Sequence, residues 1–257
     1  YSAKEKKLVA FHEAGHVVVG LQIDEADTVH KVTIVPRGQA GGYAIMLPKE
    51  ERFFTTKQEL LDRIAGLLGG RVAEEIVLGE VSTGAHNDFQ KVTRIARAMV
   101  TEYGMSDKIG ATQFSSSSGG NVFLGRDFNS DQNYSDQIAY EIDQEIQSIV
   151  NTQYERTRQI LTENRELLDL IANTLMEKET LNAQEIEHLR DHGTLPEVEE
   201  VVKEEGVTNE VTPTIEKTGS ATINEDVVGK HTTTTEDLPK VDTDLSKRQD
   251  GIDEDHK

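Results

Sequence analysis

The chain has 257 residues, 35% of them hydrophobic, with 47 Asp plus Glu against 27 Lys plus Arg, a formal net charge of -20 and no cysteine. That charge repels phosphate backbones and argues against nonspecific nucleic-acid binding. The missing thiols exclude disulfides, a cysteine nucleophile and thiolate-bound metal, so any metal must take histidine and carboxylate ligands.

From Lys4 to about Gln22, Leu8, Phe11, Gly15, Val18, Val19 and Leu21 recur near helical spacing and predict an amphipathic helix. HKVTIVPRG (30–38) and GGYAIMLP (41–48) are β-prone runs around Gly38, Gln39, Ala40 and Gly41, which predicts a hairpin. Thr56 and Glu59 have capping-box spacing ahead of a second helix, Lys57 to Leu78, stopped by Gly79. Inside it, Gly69-Gly70 marks either a weak point or a close packing contact. STGAHND (82–88) supplies turn chemistry before the periodic run FQKVTRIARAMVTEY, which stops at Gly104 and places Asp88 in the first turn of a third helix. SSSSGGN (115–121) predicts a mobile loop. A long helix starts at Ser135 and runs through Leu161 to about Asn164. Shorter helices follow at 166–178 and 183–190, the last with Asn182 and Glu185 at capping-box spacing.

Residues 197–257 hold 7 Lys plus Arg against 17 Asp plus Glu and no Phe, Tyr or Trp. Such a segment buries too little apolar surface to offset its ordering entropy, so the expectation is a folded domain over 1–196 and a disordered acidic tail over 197–257. No run approaches the roughly 18 apolar residues of a membrane span. Residue 1 is Tyr rather than Met, so the chain reads as a fragment or processed piece.

The chemistry sits in FHEAGHVVVG (11–20). Histidines four apart share one helix face, so His12 and His16 can offer nitrogens to one ion about 2 Å from each. Glu13 then falls beside the ion rather than on it. This is the zincin spacing H-E-x-x-H, in which zinc acidifies a water and the glutamate takes its proton. A catalytic zinc usually has a third protein ligand. The extended-zincin position holds Gln22, and His30 lies too far along, in a predicted strand. Glu74, Glu75, His86 and Asp88 compete, and on spacing alone Glu75 and Asp88 stay level. Gly15, between the histidines, costs about 1 kcal/mol of helix propensity against Ala, which predicts close approach by another backbone segment.

HEAGH, VTIVPRG, LLDRIAGLLGGRVAEEIVLGEVSTGAHNDF, MVTEYGMSDKIG, VFLGRD and NRELLDLIANTLMEKETL, in this order, closely resemble the protease domain of the FtsH family of membrane-anchored, ATP-dependent zinc metalloproteases over about residues 1–190. The resemblance implies a mainly α, helical zinc metalloprotease domain with a small β-hairpin near the active site. It implies Zn2+ as cofactor, His12, His16 and Asp88 as metal ligands, and Glu13 as catalytic base. Phe89 departs from the usual leucine, and His86 precedes the Asn-Asp pair. The family further implies unfolded or membrane-extracted polypeptide substrates, an AAA+ ATPase module in the same full-length chain, a homo-hexamer and the cytoplasmic face of the cell membrane. No G-x-x-x-x-G-K-[ST] occurs here. The hairpin has two readings, plain packing against the metal helix or an exposed edge that adds a substrate strand, and the resemblance favours the second. A different class of answer is a ring-forming assembly module with a structural metal site, against which the intact Glu13 argues. A zinc hydrolase of small amides is weaker still, for want of any closed-pocket signature.

Overall fold

Side-chain caps set most of the helix starts. The computed structural model describes residues 1–23, 27–114 and 134–198, and in it α1 (Ala3–Gln22) opens on a Ser2/Glu5 capping box that the sequence reading had overlooked. Capping boxes at Thr56/Glu59 and Asn182/Glu185 open α2 (Lys57–Leu78) and the last helix, as expected. α2 ends where Gly79 takes a left-handed φ of 63°. A single 3-10 turn, Thr83–Ala85, leads into α3 (His86–Thr101). Ser135 caps α4 (Asp136–Glu163), which is followed by α5 (Arg165–Lys178) and, after a short strand, α6 (Ala183–His192). The SSSSGGN and VFLGRD stretches and all but the first two residues of the acidic tail lie outside the described residues.

The fold is mainly α with one small antiparallel sheet, in the order β2-β1-β3. The hairpin exists, but β1 (Thr28–Thr33) starts and stops earlier than the 30–38 expectation, while β2 (Tyr43–Leu47) lies within 41–48, so the strands stand further apart in sequence than expected. The cause is local. Past Thr33 the chain leaves β2, with Ile34 N–H donating to Glu179 O at 2.9 Å, Pro36 offering no N–H, and a tight Arg37–Ala40 turn around a left-handed Gly38. β3 (Thr180–Asn182), too short to show as a period-2 pattern, was missed; it pairs with the far edge of β1 and ties α5 and α6 to the sheet.

α2 is the shared wall of the core. Ala65, Val72 and Ala73 face an apolar cluster built with α1, the sheet, α5 and α6, whereas Leu60, Ile64, Leu67 and Leu68 face a second one with α3 and α4. A helix apolar on two faces belongs in the middle of a fold. Fully buried residues such as Ile64 and Leu68 are each worth about 1.5–3 kcal/mol relative to exposure.

α1 crosses α2 at Gly15 and Gly69. A methyl group at Gly15 would stand 2.9 Å from Gly69 C and 2.7 Å from Ala73 Cβ, and one at Gly69 would stand 2.7 Å from Gly15 O. This is the close backbone approach expected of Gly15, and it settles the Gly69-Gly70 question in favour of packing. Gly15→Ala should therefore destabilise the chain by about 1–3 kcal/mol through overpacking. Gly66→Ala, one turn earlier on α2 with no atom within 4 Å of the added carbon, should stabilise it by about 0.5–1 kcal/mol. Urea midpoints test the pair, and equal signs would reject the crossing as the reason for Gly15.

Candidate metal centre

α1 presents His12 and His16 one turn apart, and the first turn of α3 brings Asp88 to them across 76 and 72 positions of chain. His12 Nε2 lies 3.2 Å from Asp88 Oδ2, His16 Nε2 lies 3.4 Å from the same oxygen, and the two Nε2 atoms are 3.1 Å apart. Among the described residues this is the one group of three or more His, Asp or Glu side chains so placed. Ligands about 2.0–2.1 Å from one tetrahedral ion stand about 3.3 Å from each other. The three separations match that edge length.

The outer ring nitrogens decide whether lone pairs point inward. His16 Nδ1 donates to Gly66 O at 2.8 Å, which leaves its Nε2 as the lone-pair atom. His12 Nδ1 is buried, has no hydrogen-bond partner, and lies 3.8 Å from the Glu74 carboxylate. That is an electrostatic rather than a hydrogen-bonded distance, but it favours the proton on Nδ1. Two imidazole lone pairs and a carboxylate then converge on one point, an arrangement that a cation stabilises and an empty cavity does not. The donor set fits a zinc-like ion.

Without a metal ion, protons take that role. Burial disfavours a charged His12, but the carboxylates of Asp88 and Glu74 outweigh it and push its pKa up to about 10. His16 is raised in the same way, against burial, by Asp88. Asp88 is pulled well below the usual carboxylate range by His16 and His12, although burial alone would raise it. Its place in the first turn of α3, at the positive end of the helix dipole, acts in the same direction. Glu13 behaves oppositely: it is buried, and burial pushes its carboxyl up despite His12 and His16 nearby.

The competing sequence candidates separate cleanly. Glu75 accepts from the Tyr154 hydroxyl and, at 2.7 Å, from Arg158 Nη2, so it faces α4 rather than the triangle. Fully buried Glu74 sits behind His12 and accepts from Ser82 Oγ. His86 and His30 are exposed, the latter at an irregularity in the β1–β2 register. Two contributors escaped the sequence reading. The Gly66 carbonyl orients His16, and backbone carbonyls leave no signal in a sequence. Gly70 lies under the His12 ring, where an added methyl would stand 2.5 Å from Cε1 and 2.7 Å from Cδ2; the glycine pair inside a helix was its signal. Gly70→Ala should turn the ring away and weaken metal affinity about tenfold or more, read by chelator competition. Unchanged affinity would mean the ring has room to move.

The family model for Peptidase family M41 matches residues 1–189. The ATP-dependent zinc metalloprotease FtsH of Bacillus subtilis (strain 168) is 72% identical over 196 residues, 76% of this chain and 31% of that protein. The protein of the same name from Alkalihalophilus pseudofirmus is 65% identical over 196 residues, 76% of this chain and 29% of its own length. That of Staphylococcus haemolyticus is 62% identical over 208 residues, 79% and 29% respectively. The chain spans less than a third of the length of these curated relatives.

Proposed function

This chain belongs to peptidase family M41, and from that premise we propose that it is a zinc-dependent endopeptidase unit in which His12, His16 and Asp88 hold the ion and Glu13 is the general base. The observation that carries this reading is the triangle of inward-facing donor atoms with a buried carboxylate, Glu13, on the same helix turn. A structural site needs no such acid, so the assembly-module alternative is not favoured.

When bound, zinc lowers the pKa of water towards ~7 and polarises a peptide carbonyl. Glu13 takes the proton from the attacking water and returns it to the leaving amine. Its burial suits the task, because a carboxyl lifted above its ordinary pKa is a better proton acceptor once ionised. Gly42, just ahead of β2, would place an added methyl 3.1 Å from Glu13 Cγ, so β2 begins directly over the base. β2 pairs with β1 on one side, and among the described residues no strand covers its other edge. An extended substrate can add there by main-chain pairing, which is indifferent to side-chain identity and suits unfolded polypeptides.

The relatives named as ATP-dependent support the wider reading that an AAA+ ATPase module feeds this unit in the whole protein. That it works as a hexameric ring at the cytoplasmic face of the cell membrane is part of the same proposal and rests on the family resemblance alone. Among the described residues no helix is long and apolar enough to cross a membrane. Casein hydrolysis by the chain, abolished by a chelator and restored by zinc, is the expected result. Chelator-insensitive hydrolysis, or zinc binding with no hydrolysis, would count against the peptidase reading.

A further inference from the structure

α3 begins without a capping side chain, because Ala85 occupies its N-cap, yet its first turn must hold Asp88 Oδ2 between two histidines. Metal-ligand constellations tolerate about 0.5 Å of misplacement. Something outside the helix must therefore fix that turn.

The contacts around it converge on one side chain. Arg71, on α2, donates from Nη2 to Ser82 O at 2.9 Å, which anchors the chain six residues before Asp88. The same guanidinium lies 4.6 Å from the ring centroid of Phe89, the residue immediately after Asp88. Its Nε stands 3.8 Å from Glu74 Oε2, and Glu74 is the carboxylate behind His12. Ser82 closes the link: its hydroxyl donates to Glu74 and accepts from Gly84 N–H at 3.1 Å, capping the 3-10 turn that leads into α3. One planar cation thus grips the chain on both sides of Asp88 and abuts the acid that faces His12.

We propose that Arg71 is the positioning residue that keeps the Asp88-bearing turn in register with His12, an inference that rests on the metal-site reading above. The planar fork is essential to it. A guanidinium can donate in its plane to a carbonyl while offering a flat face to an aromatic ring, whereas an ammonium is a point charge that cannot do both. Phe89 is the partner that makes the stacking half of the grip possible. The clamp is therefore built from this chain's own Arg71–Phe89 pair.

The test measures zinc affinity by chelator competition, the visible absorption of the cobalt-substituted chain, and melting of the metal-free chain, for Arg71→Met, Arg71→Lys and Phe89→Leu. Arg158→Met, which removes the 2.7 Å ion pair from α4 to Glu75, a carboxylate that faces α4 rather than the triangle, is the control. Arg71→Met should bind zinc about 10–100-fold more weakly, the range for loss of a residue supporting metal ligands, with altered cobalt bands and near-normal metal-free melting. Arg71→Lys should restore little of the loss, and Arg158→Met should leave affinity intact. Phe89→Leu added to Arg71→Met should cost nothing further, because the two residues act as one unit. Should Arg71→Met fail to fold, weakened zinc binding and shifted cobalt bands in Arg71→Lys carry the same expectation. Wild-type affinity and an unchanged cobalt spectrum in Arg71→Lys or Arg71→Met would overturn the clamp, as would equal weakening by Arg158→Met. Failure of the metal-site reading would look different, with wild type and Asp88→Ala binding zinc equally.

Discussion

Asp88→Ala should lose stoichiometric zinc, whereas Glu75→Ala should keep it and lose stability instead. The geometry gives the two carboxylates different work. Asp88 Oδ2 lies within 3.4 Å of both Nε2 atoms, and its removal leaves two imidazoles, one ligand short of a catalytic zinc site. Glu75 accepts from Tyr154 and Arg158 and so ties α2 to α4. Its loss leaves a part-buried hydroxyl and a guanidinium without that acceptor, at a cost of about 1–3 kcal/mol, less whatever solvent returns to the more exposed Arg158. A zinc titration beside a urea melt separates the two effects. Zinc lost from Glu75→Ala and retained by Asp88→Ala would move the third ligand to Glu75.

That this question stayed open on spacing alone has a physical reason. His12, Glu13 and His16 lie within one helix, where the 3.6-residue period fixes which side chains share a face, and so they could be placed from sequence. The third donor arrives by tertiary packing, and nothing local distinguishes the Glu74-Glu75 pair, correctly placed on α2, from Asp88 on α3. The resemblance to a family favoured Asp88, and the fold then brought that residue to the histidines. The glycines were legible in part. Gly15 announced a backbone contact because a glycine inside an apolar helix needs compensation, but its partner, Gly69, became identifiable only when α1 and α2 were seen to cross. Strand edges were read less well than helix ends. Caps and C-terminal glycines punctuate helices, while the end of β1 is set in part by the bond from Ile34 to Glu179, far along the chain. The Arg71 clamp was invisible for the same reason, since its contacts join residues 71, 82 and 89 through space.

Glu13→Gln should keep one zinc per chain and lose at least about 100-fold in kcat/KM, the scale of a general base. The amide has the size of the carboxylate, so it fits the narrow space under Gly42 and leaves His12, His16 and Asp88 untouched, but it cannot accept a proton from the attacking water. The same substitution should not destabilise the metal-free chain. Burial raises the Glu13 carboxyl in the folded state. Above that raised pKa its ionised form is therefore less favourable in the fold than in the unfolded chain, and the group subtracts from stability at neutral pH. A neutral amide removes that cost, so the metal-free melting temperature of Glu13→Gln should equal or exceed that of wild type. Zinc content, melting and casein turnover measured on one preparation decide the matter. Activity above about a tenth of wild type with zinc bound would remove Glu13 from the base role. A melting temperature well below wild type would instead show that the carboxylate holds the site together, and that its burial is structural rather than a cost borne for catalysis.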